Sequence, residues 1–271
     1  MSKSAAASTS APVRLRSVAL PAEHGGWGFL LEPILLGLLA APSVAGLFLG
    51  IAAFSLFLLH QPMRTALKDR AKGKRYMRTL LAERFALLYA GVLITSSILA
   101  WITAAHPFWP PLVGLVVLAS VQMYFEFSNR GRELIPEVAG ALALGGIAPA
   151  MVLAAGWSME AALPLWAILG VRALVSVAYV RSRLRLEKGK PASEAVAVGV
   201  HVIGAALLAM LAATDIVPWL SVVAALVLLV RAAHGLSRFR RPTQAKVIGF
   251  LEMAYGLITV LLVAAGYRFD I

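Results

Sequence analysis

The feature that most restricts this chain is a succession of apolar runs, at about residues 27–41, 43–60, 81–104, 110–125, 134–156, 161–180, 195–213, 216–233 and 247–267. A hydrocarbon layer about 30 Å thick needs a helix of roughly 20 apolar residues to cross it, because each residue rises about 1.5 Å. Composition agrees: 60% of the residues are hydrophobic and 14% charged, against about 45–50% and 25% in soluble domains. The mean hydropathy is +0.83. A soluble enzyme is excluded, and the expectation is an all-α, polytopic transmembrane bundle of about nine helices. Residues 1–20, rich in Ser and Ala with Lys3, Arg14 and Arg16, read as a disordered cytoplasmic tail before a single membrane domain over 21–271. The stretch Leu38-Leu-Ala-Ala-Pro-Ser-Val-Ala-Gly46 resembles a signal-peptide cleavage site. Glu32 and Pro33 inside the preceding run favour a retained first span instead.

Orientation follows from the cations, since Lys- and Arg-rich connections stay on the cytoplasmic side. The connection 61–80 holds Arg64, Lys68, Arg70, Lys72, Lys74, Arg75 and Arg78, and 181–194 holds Arg181, Arg183, Arg185, Lys188 and Lys190. Arg130 and Arg132 occupy the turn near 130, and 231–246 holds Arg231, Arg238, Arg240, Arg241 and Lys246. The alternate connections, near 42, 105–109, 157–160 and 214–215, contain neither Lys nor Arg. The N-terminus is therefore placed inside and the C-terminus outside. The net charge of +12 is assigned to topology and to the anionic inner leaflet rather than to nucleic acid. Without cysteine there is no disulfide, thiolate metal site or cysteine nucleophile.

Ionisable groups inside apolar runs are the candidates for function, because each costs at least ~2.5 kcal/mol to insert without a partner or a wet cavity. His24, Gly28 and Glu32 recur at intervals of four, along one helical face. Glu126-Phe-Ser-Asn129-Arg130-Gly-Arg132-Glu133-Leu-Ile-Pro136-Glu137 joins two spans. Ser128 or Asn129 could cap the next helix, with Asn129, Arg132 or Glu133, and Glu137 on one face, as an inner cavity rim or a plain salt-bridged elbow. Arg172, Ser176, Tyr179 and Arg183 form a stripe in the sixth span, with Arg172 about 12 Å inside the basic loop. It should face a carboxylate, with Glu32, Glu137 and Glu252 as candidates, either as packing glue or as a ligand contact. Arg64, Arg181 and Arg183 could hold a phosphate or carboxylate headgroup. His201 is the one histidine well inside a span, so axial haem ligation is hard to assemble. No Ser-His-Asp set, Walker loop or dinucleotide fingerprint is present, and no metal or cofactor is expected.

His24-Gly-Gly-Trp27 with Pro33 and Gly37, Ser128-Asn-Arg-Gly-Arg132, and Tyr179-Val-Arg181 with Arg183 resemble the YwiC-like family of bacterial membrane proteins, for which the resemblance implies no particular reaction. The nine-helix layout also resembles the UbiA prenyltransferase superfamily, which implies an active site among the helices on the cytoplasmic side, with two Asp-rich motifs holding Mg2+. At those places this chain has His60-Gln-Pro-Met-Arg64-Thr-Ala-Leu-Lys68-Asp69 and Arg181-Ser-Arg183-Leu-Arg185-Leu-Glu187. One Asp and one Glu stand there among cations, which repel a divalent metal. The leading expectation is a membrane protein with an inward-opening polar cavity for a lipid-soluble molecule with an anionic or quinone-like head, an isoprenoid included. His24 and Glu32 would form one wall, Asn129, Arg132 and Glu137 the rim, and Arg64, Arg172, Tyr179, Arg181 and Arg183 further contacts. The rivals are a metal-independent prenyl or lipid-phosphate transferase and a transporter.

Overall fold

The computed structural model describes residues 15–20, 24–73 and 76–271, without the side chains of Arg16, Ser17, His24 and Gly25. Among these residues all regular structure is helical: α1 (Leu15–Ala19), α2 (His24–Ala40), α3 (Val44–Ala71), α4 (Met77–Thr103), α5 (Trp109–Phe127), α6 (Leu134–Gly145), α7 (Ile147–Ala154), α8 (Met159–Glu187), α9 (Glu194–Ala213), α10 (Trp219–Leu236) and α11 (Ala245–Phe269). Eight segments, with α6 and α7 counted as one, are long and apolar enough to cross a membrane. The 17-residue α2 lies at the lower limit for a ninth. The expected spans are therefore present. The end of the expected tail is ordered differently, because α1 sets Val18 against Ala66 and Ala82; residues 1–14 lie outside the described residues.

Two helices outrun their apolar segments. α3 and α8 continue through Arg64–Ala71 and Arg181–Glu187, polar sequence that water can solvate. Each stops where a glycine follows in the left-handed region, Gly73 and Gly189 both at φ 64°. Only glycine adopts that conformation without a side-chain penalty. Short connections reverse the chain between successive spans, and from α2 onward consecutive helices pack together except α4 and α5, so the basic connections gather at one end of the bundle and the cation-free ones at the other.

The α6–α7 span and α8 form the centre, with 78% and 67% of their apolar windows buried, whereas α4 and α5 are peripheral at 11% and 6%. The central span breaks at Gly146. Pro149 has no N–H to give the Gly145 carbonyl, and its ring crowds that oxygen. The Gly146 N–H turns to the Ala143 carbonyl at 3.1 Å, which leaves the Leu142 carbonyl for the Trp166 indole N–H at 2.8 Å. In a bilayer a broken helix persists only where its backbone groups find such partners. Trp166 thereby fixes α6, and with it Glu137, against α8.

Candidate functional site

Four helices approach the basic end with a polar group at nearly the same depth. Counting from the helix end on that side, Glu32, Glu252 and His201 lie about 10–12 Å along their helices and Arg231 about 8 Å. Together with Arg172 and Ser176 of α8 they make one hydrogen-bonded layer. Arg172 Nη2 donates to Glu32 Oε1 and to the Glu252 backbone carbonyl, both at 3.0 Å. Its Nη1 stands 3.7 Å from Glu252 Oε2, which also accepts from Ser176 Oγ at 2.9 Å. Arg231 Nη1 pairs with Glu252 Oε1. The Arg231 guanidinium lies 4.0 Å from the Tyr179 ring centroid and 5.4 Å from that of Tyr255.

His201 completes the layer. Arg231 Nη2 lies 3.1 Å from its Nε2, and its Nδ1 lies 2.8 Å from the Ala197 carbonyl. Arginine can only donate, so Nε2 accepts and the proton belongs on Nδ1, a tautomer assigned from the network. Two carboxylates are thus matched by two guanidiniums around a neutral imidazole. Burial makes that balance compulsory, because an unmatched charge in this layer would cost several kcal/mol.

The layer is built into the backbone. A Cβ on Gly256 would overlap the Glu32 carboxylate, with Cδ at 2.5 Å, so glycine in α11 is what lets α2 bring Glu32 to Arg172. Pro33 can offer no N–H to the Phe29 carbonyl, one turn from Glu32.

Below the layer, toward the basic end, α2, α6, α8 and α11 enclose a cavity of about 100 Å3 bordered by Gly28, Glu32, Glu137, Arg172, Ser176 and Glu252. That is room for about three waters. At its mouth Arg181 Nη1 donates to Glu137 Oε2 at 2.6 Å and to the Arg132 carbonyl at 3.1 Å, with both side chains of the pair about 40% exposed. On the other side of Arg172 a void of about 10 Å3 lies between α8, α9, α10 and α11 and is bordered by Ser221 and Thr259. Arg172 borders both spaces, and its Nε and Nη1 hydrogen-bond to no protein atom.

The stripe expected along α8 is present: Arg172, Ser176, Tyr179 and Arg183 are all buried. Arg172 faces Glu32 and Glu252, while Glu137 shares the cavity. Other expected residues stand elsewhere. Arg183 is bonded to the carbonyls of Gly235 and Arg241 and pairs with Glu187 at 2.8 Å, so it clamps the α10–α11 connection to α8. Arg64 pairs with Glu126 at 2.7 Å, beside His60 at 3.2 Å, linking α3 to α5. Asn129 does not cap or join α6. It sits in the preceding turn at φ 57°, exposed like Arg132, and Glu133 takes the N-cap position. Arg130 closes that turn on Glu133 Oε1 at 2.6 Å, and that hydrogen bond raises the Arg130 pKa. The His24 side chain lies outside the described residues.

Arg231 was expected in the basic connection and is instead 7% exposed inside α10. Its flanks, Leu226-Val-Leu-Leu-Val before it and two alanines after it, carried that signal. It therefore joins Arg172 as a second intramembrane arginine. His201 lies buried within α9, as the sequence indicates, but its role as an acceptor for Arg231 depends on where α10 packs.

The carboxylates at the places matching the Asp-rich motifs do not suit Mg2+. Asp69 receives Arg78 at 2.9 and 2.7 Å and Thr79 at 2.8 Å, and Glu187 faces Arg183. Hard divalent cations need several free oxygen donors at one point. Among the described residues no group of three or more His, Asp and Glu could hold a metal ion.

No curated protein and no solved structure matches the chain significantly. The family model described as YwiC-like protein matches residues 20–152, a segment that carries Glu32, Glu137 and the broken central span but ends before Arg172. A helical, multi-pass architecture makes the chain a membrane protein, and over residues 20–152 it is similar to the YwiC-like family.

Proposed function

We propose that the protein binds a small molecule in the cavity between α2, α6, α8 and α11, entered from the basic end past Glu137 and Arg181. The observation that carries this reading is the cavity itself, which reaches from Glu137 near the basic end to the buried, ion-paired layer of Glu32, Arg172, Ser176 and Glu252. A space lined by charged and hydroxyl side chains suits a ligand or water with polar atoms of its own. The space of about 100 Å3 is smaller than the roughly 300 Å3 of ordinary ligand pockets. It therefore takes a headgroup, and any hydrocarbon tail runs between helices into lipid. The protein would lie in the bacterial inner membrane with its basic end against anionic headgroups, as the cation distribution favours.

Native mass spectrometry of the gently extracted protein tests the reading. A small molecule retained by the wild type and lost from Arg172→Lys supports it. Retention of nothing beyond phospholipid in both, with no competition by added headgroup analogues, overturns it.

Translocation is the second reading. It is favoured by the void beyond Arg172, which reaches Ser221 near the opposite end of α10. The ion-paired layer would then be the closed barrier between the cavity and that narrow void of about 10 Å3. Solute flux in vesicles that Glu32→Gln leaves unchanged counts against it.

A further inference from the structure

A proton that enters the buried layer needs an atom that water can reach and that no other bond already claims. Three side chains of the layer can take one up: Glu32, Glu252 and His201. Both oxygens of Glu252 are engaged, Oε1 by Arg231 and Oε2 by Ser176. His201 has Nε2 against Arg231 and Nδ1 against the Ala197 carbonyl, so a second ring proton would face a guanidinium, and the ring does not border the cavity.

Glu32 differs from both. Arg172 donates to its Oε1 at 3.0 Å, and the bare backbone of Gly256 makes room for that oxygen. Oε2 accepts from no described group and, unlike Nε and Nη1 of Arg172, is not sealed from water-sized contact. The Glu32 side chain keeps 7% of its surface accessible, and the space it borders is the cavity that opens past Glu137.

We infer that Glu32 is a proton-exchanging site, which takes a proton at Oε2 from water in the cavity and returns it by the same route. The O–H bond forms at Oε2 as hydronium gives up its proton and leaves water behind. Oε1 goes on accepting from Arg172, because a protonated carboxyl group retains acceptor capacity. Arg172 keeps an anion within reach as well, since its Nη1 stands 3.7 Å from Glu252 Oε2. The charged groups facing this site are Arg172 of α8, Glu252 of α11 with Arg231 of α10 behind it, and Glu137 of α6. α7 carries no ionisable side chain, and His60, Arg64, Asp69 and Arg70 of α3 are engaged with Glu126, Arg78 and Glu83. A molecule held beside Glu32, or carried past it, is thereby linked to proton uptake. The inference needs water in the cavity but no bound molecule, so it stands apart from the binding reading.

Infrared difference spectroscopy of the full-length protein in nanodiscs tests the assignment, with a titration from about pH 9 to about pH 4 that spans ordinary and raised carboxyl pKa values. Acidification should raise a carbonyl-stretch band of a protonated carboxyl group that shifts on transfer to deuterium oxide. That band should vanish in Glu32→Gln and move in frequency in Glu32→Asp. Both variants keep an oxygen acceptor for Arg172, circular dichroism and monodisperse elution confirm their folds, and Glu32→Asp alone decides the assignment if the other variant does not fold. Carboxyl bands that neither substitution alters, a Glu32 band that does not change with pH, or one that resists deuterium exchange overturns the inference. Each of those results leaves the binding reading standing, whereas a titrating Glu32 with no small molecule retained in native mass spectrometry overturns the binding reading alone.

Discussion

Arg172→Gln should be among the most damaging single substitutions in the molecule. The side chain is 3% exposed, donates at 3.0 Å to both Glu32 and the Glu252 carbonyl, and approaches the Glu252 carboxylate at 3.7 Å. Its removal leaves Glu32 without a cation, and breaking a buried pair in this way costs about 3–5 kcal/mol. Glu32→Gln should cost less, about 1–3 kcal/mol, because the amide oxygen still accepts from Arg172 and Glu252 remains as a nearby anion. The double variant removes one charge of each sign and leaves Glu252 matched by Arg231, so its cost should fall about 1–3 kcal/mol below the sum of the singles. Unfolding in mixed micelles, followed by circular dichroism as the fraction of denaturing detergent rises, gives all three values in one lipid-like medium. Additivity within about 0.5 kcal/mol would refute the reasoning, since it would show that the two side chains do not share a charge balance.

Gly256→Ala should cost about 2–4 kcal/mol, because the new methyl overlaps a carboxylate that cannot retreat without leaving Arg172; the same assay measures it, and Glu32→Ala in the same chain should recover part of the loss. Arg183→Gln removes the bonds to the Gly235 and Arg241 carbonyls and the pair with Glu187, so proteolysis within 237–244 should quicken by at least about tenfold while the helix content by circular dichroism holds. Trp166→Phe leaves the Leu142 carbonyl without its donor at 2.8 Å and should lower stability by about 1–2 kcal/mol.

The membrane architecture was legible because apolar length and cation placement are local properties of sequence. The stripe on α8 was legible for the same reason, as i, i+3 and i+4 spacing fixes which residues of one helix share a face. That Arg172 meets a carboxylate also followed from its depth. Which carboxylate it meets depends on packing between helices far apart in the chain, and Gly256 reveals its purpose only once Glu32 is seen against it. Arg183 illustrates the opposite difficulty: from sequence it is one more cation in a basic segment, yet backbone carbonyls of a distant connection claim its donors. Asn129 was expected to cap a helix, but a positive φ put it in the turn before α6 and passed the cap position to Glu133. Short polar residues serve either conformation, and their neighbours decide.

The central claim is that water and solute reach the Arg172 layer through a cavity facing α11. The natural chain contains no cysteine, so single cysteines can be introduced without altering another site. Met253 borders the cavity, whereas Leu251, two residues nearer the basic end, is 49% exposed on the outer surface of the bundle. A methanethiosulfonate reagent needs a thiolate, and thiolates form in water and not in hydrocarbon. Added from the basic side of oriented membranes, the charged reagent should modify Met253→Cys at least about tenfold faster than Leu251→Cys, despite the greater depth of Met253 by about 3 Å. Equal rates, or faster modification of Leu251→Cys, would mean that depth alone governs access, and the proposed cavity would have to be abandoned.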